Sequence, residues 1–309
     1  MRIMNVVIAG GSGLVGRALR SALVAAGHQA IVLTRKPGHP DRLGTGVREV
    51  GWDPAKPGAW TAELAEAGAV INLAGESIGR WPWTPGRKRA LVASRVIATR
   101  TLVKAMAALP ADRRPGVLLN ASGSDVYEGR DATPADETTP PTDTFLARMA
   151  LAWEAEALRA EALGVRVVCL RANMVVGRGA LALQLLALPF RLFVGGRLGS
   201  GRQWMGWIDI ADVAGLYLWA LDHDEVRGPL NLAAPDLRTQ AEFGRALGAV
   251  LRRPNWFPTP AWIIRLVLGG QATMALGSRR AWPAKALAGG YAFRRPDLET
   301  SLRAALGRE

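Results

Sequence analysis

Apolar positions in the first part of the chain alternate between two periods. Residues 3–9, Ile-Met-Asn-Val-Val-Ile-Ala, form an apolar run of strand length, and 29–34, 69–73, 117–120 and 165–170 repeat the type. Between the first two runs, Leu14, Ala18, Leu19, Ala22, Leu23 and Ala26 recur at helical spacing until Gly27 stops the helix. Longer helices are predicted over 84–108 and 144–163, with a short helix near 61–67 and a short strand near 47–50. Residues 128–143 read as a polar loop containing Pro and Thr. Strands alternating with helices predict a parallel, doubly wound sheet.

Beyond residue 172 the order breaks. Residues 181–193 are apolar with Pro189 among them, which suits a lobe helix, a lid or a dimer surface. Residues 195–207 are glycine-rich and carry Arg197 and Arg202. Helical spacing returns over 209–221, a strand over 228–232, and an amphipathic helix over 239–251 with Thr239 and Glu242 at capping-box spacing. The tail from Asn255 contains an apolar stretch, Trp262–Leu268, interrupted by Arg265.

The first strand runs directly into Gly10-Gly11-Ser12-Gly13-Leu14-Val15-Gly16. A strand, a glycine turn, a helix and a second strand within some 30 residues is the context a dinucleotide fingerprint requires. One glycine permits the tight turn, the next lets backbone approach a pyrophosphate, and the third lets the helix pack on the strand. Ser12 and Leu14 lie inside the turn and count with Gly10, Gly13 and Gly16 as cofactor-binding positions. The spacing is G-x-x-G-x-x-G, with the free amides of the helix start facing the phosphates. The second strand ends in Thr34-Arg35-Lys36, where an NAD site has Asp or Glu. A carboxylate repels a ribose 2′-phosphate and Arg attracts it, so NADP(H) is the expected cofactor. The third strand ends in Asn72-Leu73-Ala74-Gly75, small residues suited to a cofactor lying across the strand ends. Trp52, beside Asp53, either anchors a turn or borders the adenine.

Bulk composition narrows the partners. With 309 residues, 49% of them hydrophobic, the chain suits one large domain with an appendage or two interleaved lobes. The net charge of +13, from 39 Lys+Arg against 26 Asp+Glu, raises nucleic acid or an anionic membrane surface as partners. The arginines are scattered, however, with no dense basic tract, zinc-finger spacing or aromatic RNA motif, so no nucleic-acid partner is expected. Cys169 is the only cysteine, sits in an apolar run and is expected to be buried and inert. His28, His39 and His223 are far apart, and no metal site is expected. No signal-peptide layout and no uncharged apolar run of 18 residues are present, so no membrane span is expected and a cytoplasmic location is.

Together with the glycine turn, Asn72–Gly75, Ser122–Tyr127 and Trp207-Ile-Asp-Ile-Ala-Asp212 resemble the extended short-chain dehydrogenase/reductases. More narrowly, Asn72–Ile78, Ser94-Arg95, Trp153-Glu154, Leu192–Met205 and Tyr291–Leu298 resemble an atypical subgroup described as sugar-nucleotide epimerase-like or cell-division-inhibitor-like. The resemblance runs almost end to end. It implies a Rossmann-type NADP(H)-binding domain over 1–172, with 206–233 returning to it. It also implies a small, mainly helical C-terminal substrate lobe from 173–205 and 234–309. Carried over by position, Gly10, Gly13 and Gly16 hold the pyrophosphate, Thr34 and Arg35 meet the adenosine ribose phosphate, Leu73, Ala74 and Gly75 line the cofactor's path, and Arg95 reaches toward it.

The parent superfamily uses a Tyr-x-x-x-Lys pair, in which the tyrosine exchanges a proton while hydride moves. Counting back from Trp153-Glu154 puts Leu146 and Ala150 there, and neither does that work; nearby Arg148 is a poor proton donor. Ser122, Ser124, Asp125 and Tyr127 remain, with Gly123 at the position of the family's polarising Ser or Thr. Ser122 and Tyr127 are the catalytic candidates, Tyr127 either supplying the missing phenol or packing against the cofactor. Two functions stay open. One is an oxidoreductase or epimerase acting on a small polar substrate, with Arg197 and Arg202 suited to an anionic one. The other is a non-catalytic NADP(H)-binding regulator that meets a protein partner, or a second copy, through 181–193 or the tail. Peripheral membrane contact by Trp262–Leu268 is a third possibility, although an apolar stretch of that length fits a core or lobe-packing helix better.

Overall fold

A computed structural model describes residues 3–38, 45–129 and 132–308. His39, Arg130 and Asp131 therefore lie outside the described residues. The chain begins with β1 (Asn5–Ala9), α1 (Leu14–Ala25), β2 (Gln29–Thr34), β3 (Val47–Gly51), β4 (Ala67–Asn72) and α2 (Pro85–Ala107). It continues through β5 (Val117–Gly123), α3 (Phe145–Leu158), β6 (Arg166–Ala172), β7 (Met174–Val176), α4 (Leu181–Arg191), β8 (Trp207–Asp209), α5 (Ile210–Asp222) and β9 (Gly228–Leu232). Helices α6 (Gln240–Leu251), α7 (Ala261–Leu268), α8 (Ala272–Leu276), α9 (Ala284–Ala288) and α10 (Leu298–Leu306) complete it.

Seven strands form one parallel sheet in the order β3-β2-β1-β4-β5-β6-β9. The order reverses beside β1, which pairs with β2 on one side and β4 on the other. Such a reversal opens a crevice at the strands' carboxyl ends, where the glycine turn lies. Successive residues explain why these strands read as continuous apolar runs. Val6 and Ile8 pack with α1 and α5 on one face, while Val7 and Ala9 pack with α2 on the other. A second core, with Val176, Leu183, Phe190, Trp207, Phe243 and Leu302, gathers α4, α6 and α10 around β7 and β8.

Local chemistry sets most boundaries. Thr84 and Thr144 cap α2 and α3 by accepting from the backbone N–H of Arg87 and Ala147. Thr239 and Glu242 close a reciprocal capping box on α6. Two expectations change and one pairing is added. Residues Ala59–Glu66 form a 3-10 helix, α3 stops at Leu158 with a 3-10 turn to Leu163, and β7 pairs with β8 in a separate two-stranded sheet. Strands of three residues are too short to show periodicity, so this last pair left no signal in the sequence. Trp52 is a core anchor, edge-on to Trp60 at 5.5 Å.

Two buried carboxylates, Asp212 and Asp209, and the half-buried Asp236 strap the tail to the rest of the fold. Asp212 accepts from the backbone N–H of Arg294 and Arg295 and from the Tyr291 hydroxyl. Asp209 accepts from Ser301 at 2.7 Å, and Asp236 from the Leu298 N–H at 3.0 Å. The two stretches Trp207–Asp212 and Tyr291–Leu298 are thus partners in space.

Candidate active site

The glycine turn shows three distinct requirements. Gly10 has φ +80°, and a Cβ there would lie 2.9 Å from the Leu73 carbonyl carbon. A Cβ on Gly16 would lie 2.4 Å from the Gly11 oxygen, so helix and turn pack too closely for a side chain. Gly13 faces open space, with nothing within 4 Å of such a Cβ. It is also the N-cap of α1, with no side-chain cap and no acidic residue in the first turn. Free amides, a positive helix end and open volume in front of Gly13 fit a pyrophosphate. Ser12 is exposed in this turn, its carbonyl accepting from Arg17 at 2.8 Å, while Leu14 packs against the lobe core.

At the end of β2, Thr34 is half-buried and Arg35 is exposed, and among the described residues Arg35 makes no ion pair. The end of β4 is fixed from inside. The Asn72 amide donates to Thr99 at 2.8 Å and to Asn120 at 2.7 Å, while its oxygen accepts from the Ala74 N–H at 3.1 Å. Arg95 lies against Gly75, where a Cβ would come within 3.0 Å of its guanidinium carbon. It donates to the Leu91 and Glu76 carbonyls and lies over the Trp153 ring. Burial pulls this guanidinium down to about 10, with Arg87 adding repulsion and Asp125 opposing it. Arg95 therefore sets the backbone along which Leu73, Ala74 and Gly75 run.

Behind β5 lies a closed polar network. Arg171 and Glu154 form a bidentate ion pair, Nε–Oε1 and Nη2–Oε2 both at 2.8 Å. Ser122 Oγ donates to Glu154 at 2.6 Å. Arg171 Nη1 donates to the Tyr127 oxygen at 2.6 Å, and that hydroxyl donates to Asn231 at 3.2 Å. Ser122 and Tyr127, the catalytic candidates of the sequence, both lie inside this network. Tyr127 is 0% exposed, its hydroxyl is spent on two protein partners, and burial raises its phenol pKa against the opposing pull of Arg171. Ser122 is buried with its proton committed to Glu154. Leu146 and Ala150 are buried apolar contacts of α3. Arg197 and Arg202 are both exposed in the lobe.

Two further polar groups stand out near the ends of β5 and β6, Asp125, which the sequence named without a role, and Asn173, which it did not name. Asp125 Oδ2 lies 3.0 Å from where a Cβ on Gly123 would be, so this carboxylate fills the volume of the missing side chain. Its other oxygen accepts from Arg279 Nε at 2.7 Å. Asn173, just past β6, is 6% exposed, and neither its amide oxygen nor its nitrogen has a partner among the described residues. Asn173 gave no signal of its own in the sequence, because only burial identifies it.

A family model for NAD dependent epimerase/dehydratase proteins matches residues 6–233, and one for a domain of unknown function, DUF1731, matches 259–305. The chain belongs to the NAD dependent epimerase/dehydratase family. Bovine epimerase family protein SDR39U1 is 37% identical over 97% of this chain and 99% of its own length, and YfhF of Bacillus subtilis is 32% identical over 97% of each. The crystal structure of human SDR39U1 isoform 2 with NADPH is similar at TM-score 0.86 and 33% identity, covering 99% of this chain and all of that one. The nicotinamide-dinucleotide fold and the extended short-chain dehydrogenase/reductase resemblance thus stand. Among the described residues no three potential ligand side chains gather as a metal site, and no helix is long and apolar enough to cross a membrane.

Proposed function

We propose that the chain is a cytoplasmic NADP(H)-binding oxidoreductase or epimerase acting on a small polar substrate without the Tyr-x-x-x-Lys pair. The observation that carries the reading is the open volume at Gly13, set before the uncapped start of α1. Exposed Arg35 and Lys36 at the end of β2 supply charge for a 2′-phosphate, and the NADPH-bound human relative supports that choice. A nicotinamide cofactor seated there supplies or accepts hydride when bound. The protein's own groups then do the rest: Gly10, Ser12, Gly13, Leu14 and Gly16 seat the pyrophosphate, Leu73, Ala74 and Gly75 form the floor, and Arg95 positions it. Asp125 is the proton-handling group in this reading, because its free oxygen stands in the place of the family's Ser or Thr. Ser122 and Tyr127 act behind it as positioning residues.

The apolar, buried Leu146 and Ala150 favour a second reading, a non-catalytic NADP(H)-dependent regulator. Calorimetric titration with NADPH and NADH, on the wild type and on Arg35→Ala, tests the cofactor. NADPH binds at least about tenfold tighter, and the variant loses that preference. Equal or absent binding of both overturns the assignment. A screen of sugar nucleotides and small carbonyl compounds, followed by cofactor absorbance and product stereochemistry, separates the two readings. Turnover that falls in Asp125→Asn and persists in Tyr127→Phe supports the enzyme. Tight binding without turnover supports the regulator.

A further inference from the structure

The charge of this protein is concentrated in its lobe. Residues 173–205 and 234–309 hold 16 of the 39 Lys+Arg and only 5 of the 26 Asp+Glu, so this third of the chain carries 11 of the 13 net positive charges. No acidic residue occurs between Glu161 and Asp209, or between Glu242 and Asp297.

The same two acid-free stretches expose large apolar side chains. On α4 and just after it, Leu185 is 57%, Leu188 49% and Leu192 63% exposed. On the second stretch Trp256 is 71%, Trp262 64% and Leu266 77% exposed. The two are stitched together. Trp256 Nε1 donates to the Phe193 carbonyl at 2.7 Å, and the N–H groups of Trp256 and Phe257 both bond the Gly195 carbonyl. The Arg253 guanidinium lies 4.4 Å over the Phe193 ring, and Leu198 bridges to Thr259 at the entry to α7. Arg191, Arg252 and Arg265 are exposed along the same segments.

Protruding Trp and Leu with arginines among them and no carboxylate is unusual for a surface that meets only water. A second copy seated here would set two lobes of like charge against each other, which costs association. A surface of the opposite charge with an apolar interior removes both problems. We propose that this face, formed by α4, the 193–195 and 256–257 segments and α7, docks on an anionic lipid surface. The indoles and leucines enter the headgroup layer while the arginines meet lipid phosphates. The inference stands apart from the catalytic reading, since it uses none of the cofactor residues.

The full chain is sedimented with vesicles of phosphatidylcholine alone and with vesicles of equal parts phosphatidylcholine and phosphatidylglycerol. It partitions to the anionic vesicles, and added salt weakens the binding. Trp262→Ser with Leu266→Ser lowers the partition by about tenfold or more. Arg191→Gln with Arg265→Gln lowers it by about fivefold for each charge removed. Both double variants keep the wild-type melting temperature and NADPH affinity, because every exchanged side chain is exposed. No partition, or equal partition to both vesicle types, overturns the proposal. So does a dimer in sedimentation velocity that the Trp262→Ser, Leu266→Ser variant dissolves, which would assign the face to a second copy.

Discussion

Replacing Arg171 by Met tests whether the network behind β5 is architecture. The guanidinium makes two bonds of 2.8 Å to Glu154 and one of 2.6 Å to Tyr127, and both ionic side chains are under a tenth exposed. Removing one partner of a buried pair leaves the other charge unpaired, which costs about 3–5 kcal/mol. For a chain of this size about 2 °C accompanies each kcal/mol, so the melting midpoint falls by roughly 6–10 °C. Removing both charges, in Arg171→Met with Glu154→Leu, avoids the stranded carboxylate. Only the bonds to Ser122 and Tyr127 are then lost, and the deficit shrinks to about 1–2 kcal/mol. Urea unfolding of the wild type, both single variants and the double variant measures the coupling directly. A loss below about 1 kcal/mol in Arg171→Met, or a double variant equal to the sum of the singles, refutes the reasoning.

The glycine turn gives a paired prediction. Gly16→Ala forces its Cβ to within 2.4 Å of the Gly11 oxygen and lowers both melting temperature and NADPH affinity, whereas Gly13→Ala, facing open space, keeps the melting temperature within about 2 °C and loses NADPH affinity in calorimetry. The α10 cap gives a pH prediction. Asp297 accepts from the Thr300 N–H at 2.9 Å, and hydrogen bonding by Thr300 holds its carboxyl below the usual range. Its folded pKa lies below the unfolded one, so its contribution is complete above the unfolded value and is lost as pH falls through the folded one. Asp297→Asn therefore flattens the stability profile between about pH 5 and pH 3, as urea midpoints across that range will show.

The glycine turn was legible because it is local. Gly10 to Gly16 are neighbours in sequence, and a turn, an open approach and a close helix contact each demand glycine within one stretch. The sheet was legible for a related reason: strands buried on both faces leave unbroken apolar runs. The other half is not local. Tyr127 meets Asn231 at a separation of 104 residues, and Asp125 meets Arg279 at 154. No spacing rule reaches that far, so the sequence left the surroundings of Tyr127 open, and the fold encloses its hydroxyl with Arg171 and Asn231. Asp125 stood in the right stretch, but only the fold puts its carboxylate into the volume that a side chain on Gly123 would take.

Those distant contacts change what the tail is. One family model ends at 233 and another begins at 259, a division that suggests a cofactor domain with an accessory piece. The hydrogen bonds cross that division around Asp125, Glu137 and Asn231. Arg279 holds Asp125, the Trp282 carbonyl accepts from Asn231, and the Lys285 N–H shares the Glu137 carboxylate with the Asn231 N–H. Burial raises the Glu137 carboxyl, while these N–H donors oppose the rise. Ala135 also exchanges backbone bonds with Arg280 and Trp282, both at 2.8 Å. A chain ending near 233 would keep the glycine turn and every strand of the main sheet, yet Asp125 would lose its cation and Asn231 one of its acceptors. The glycine turn is thus built within the first part of the sequence, whereas the surroundings of Asp125 and Asn231 are complete only when the tail is folded onto them.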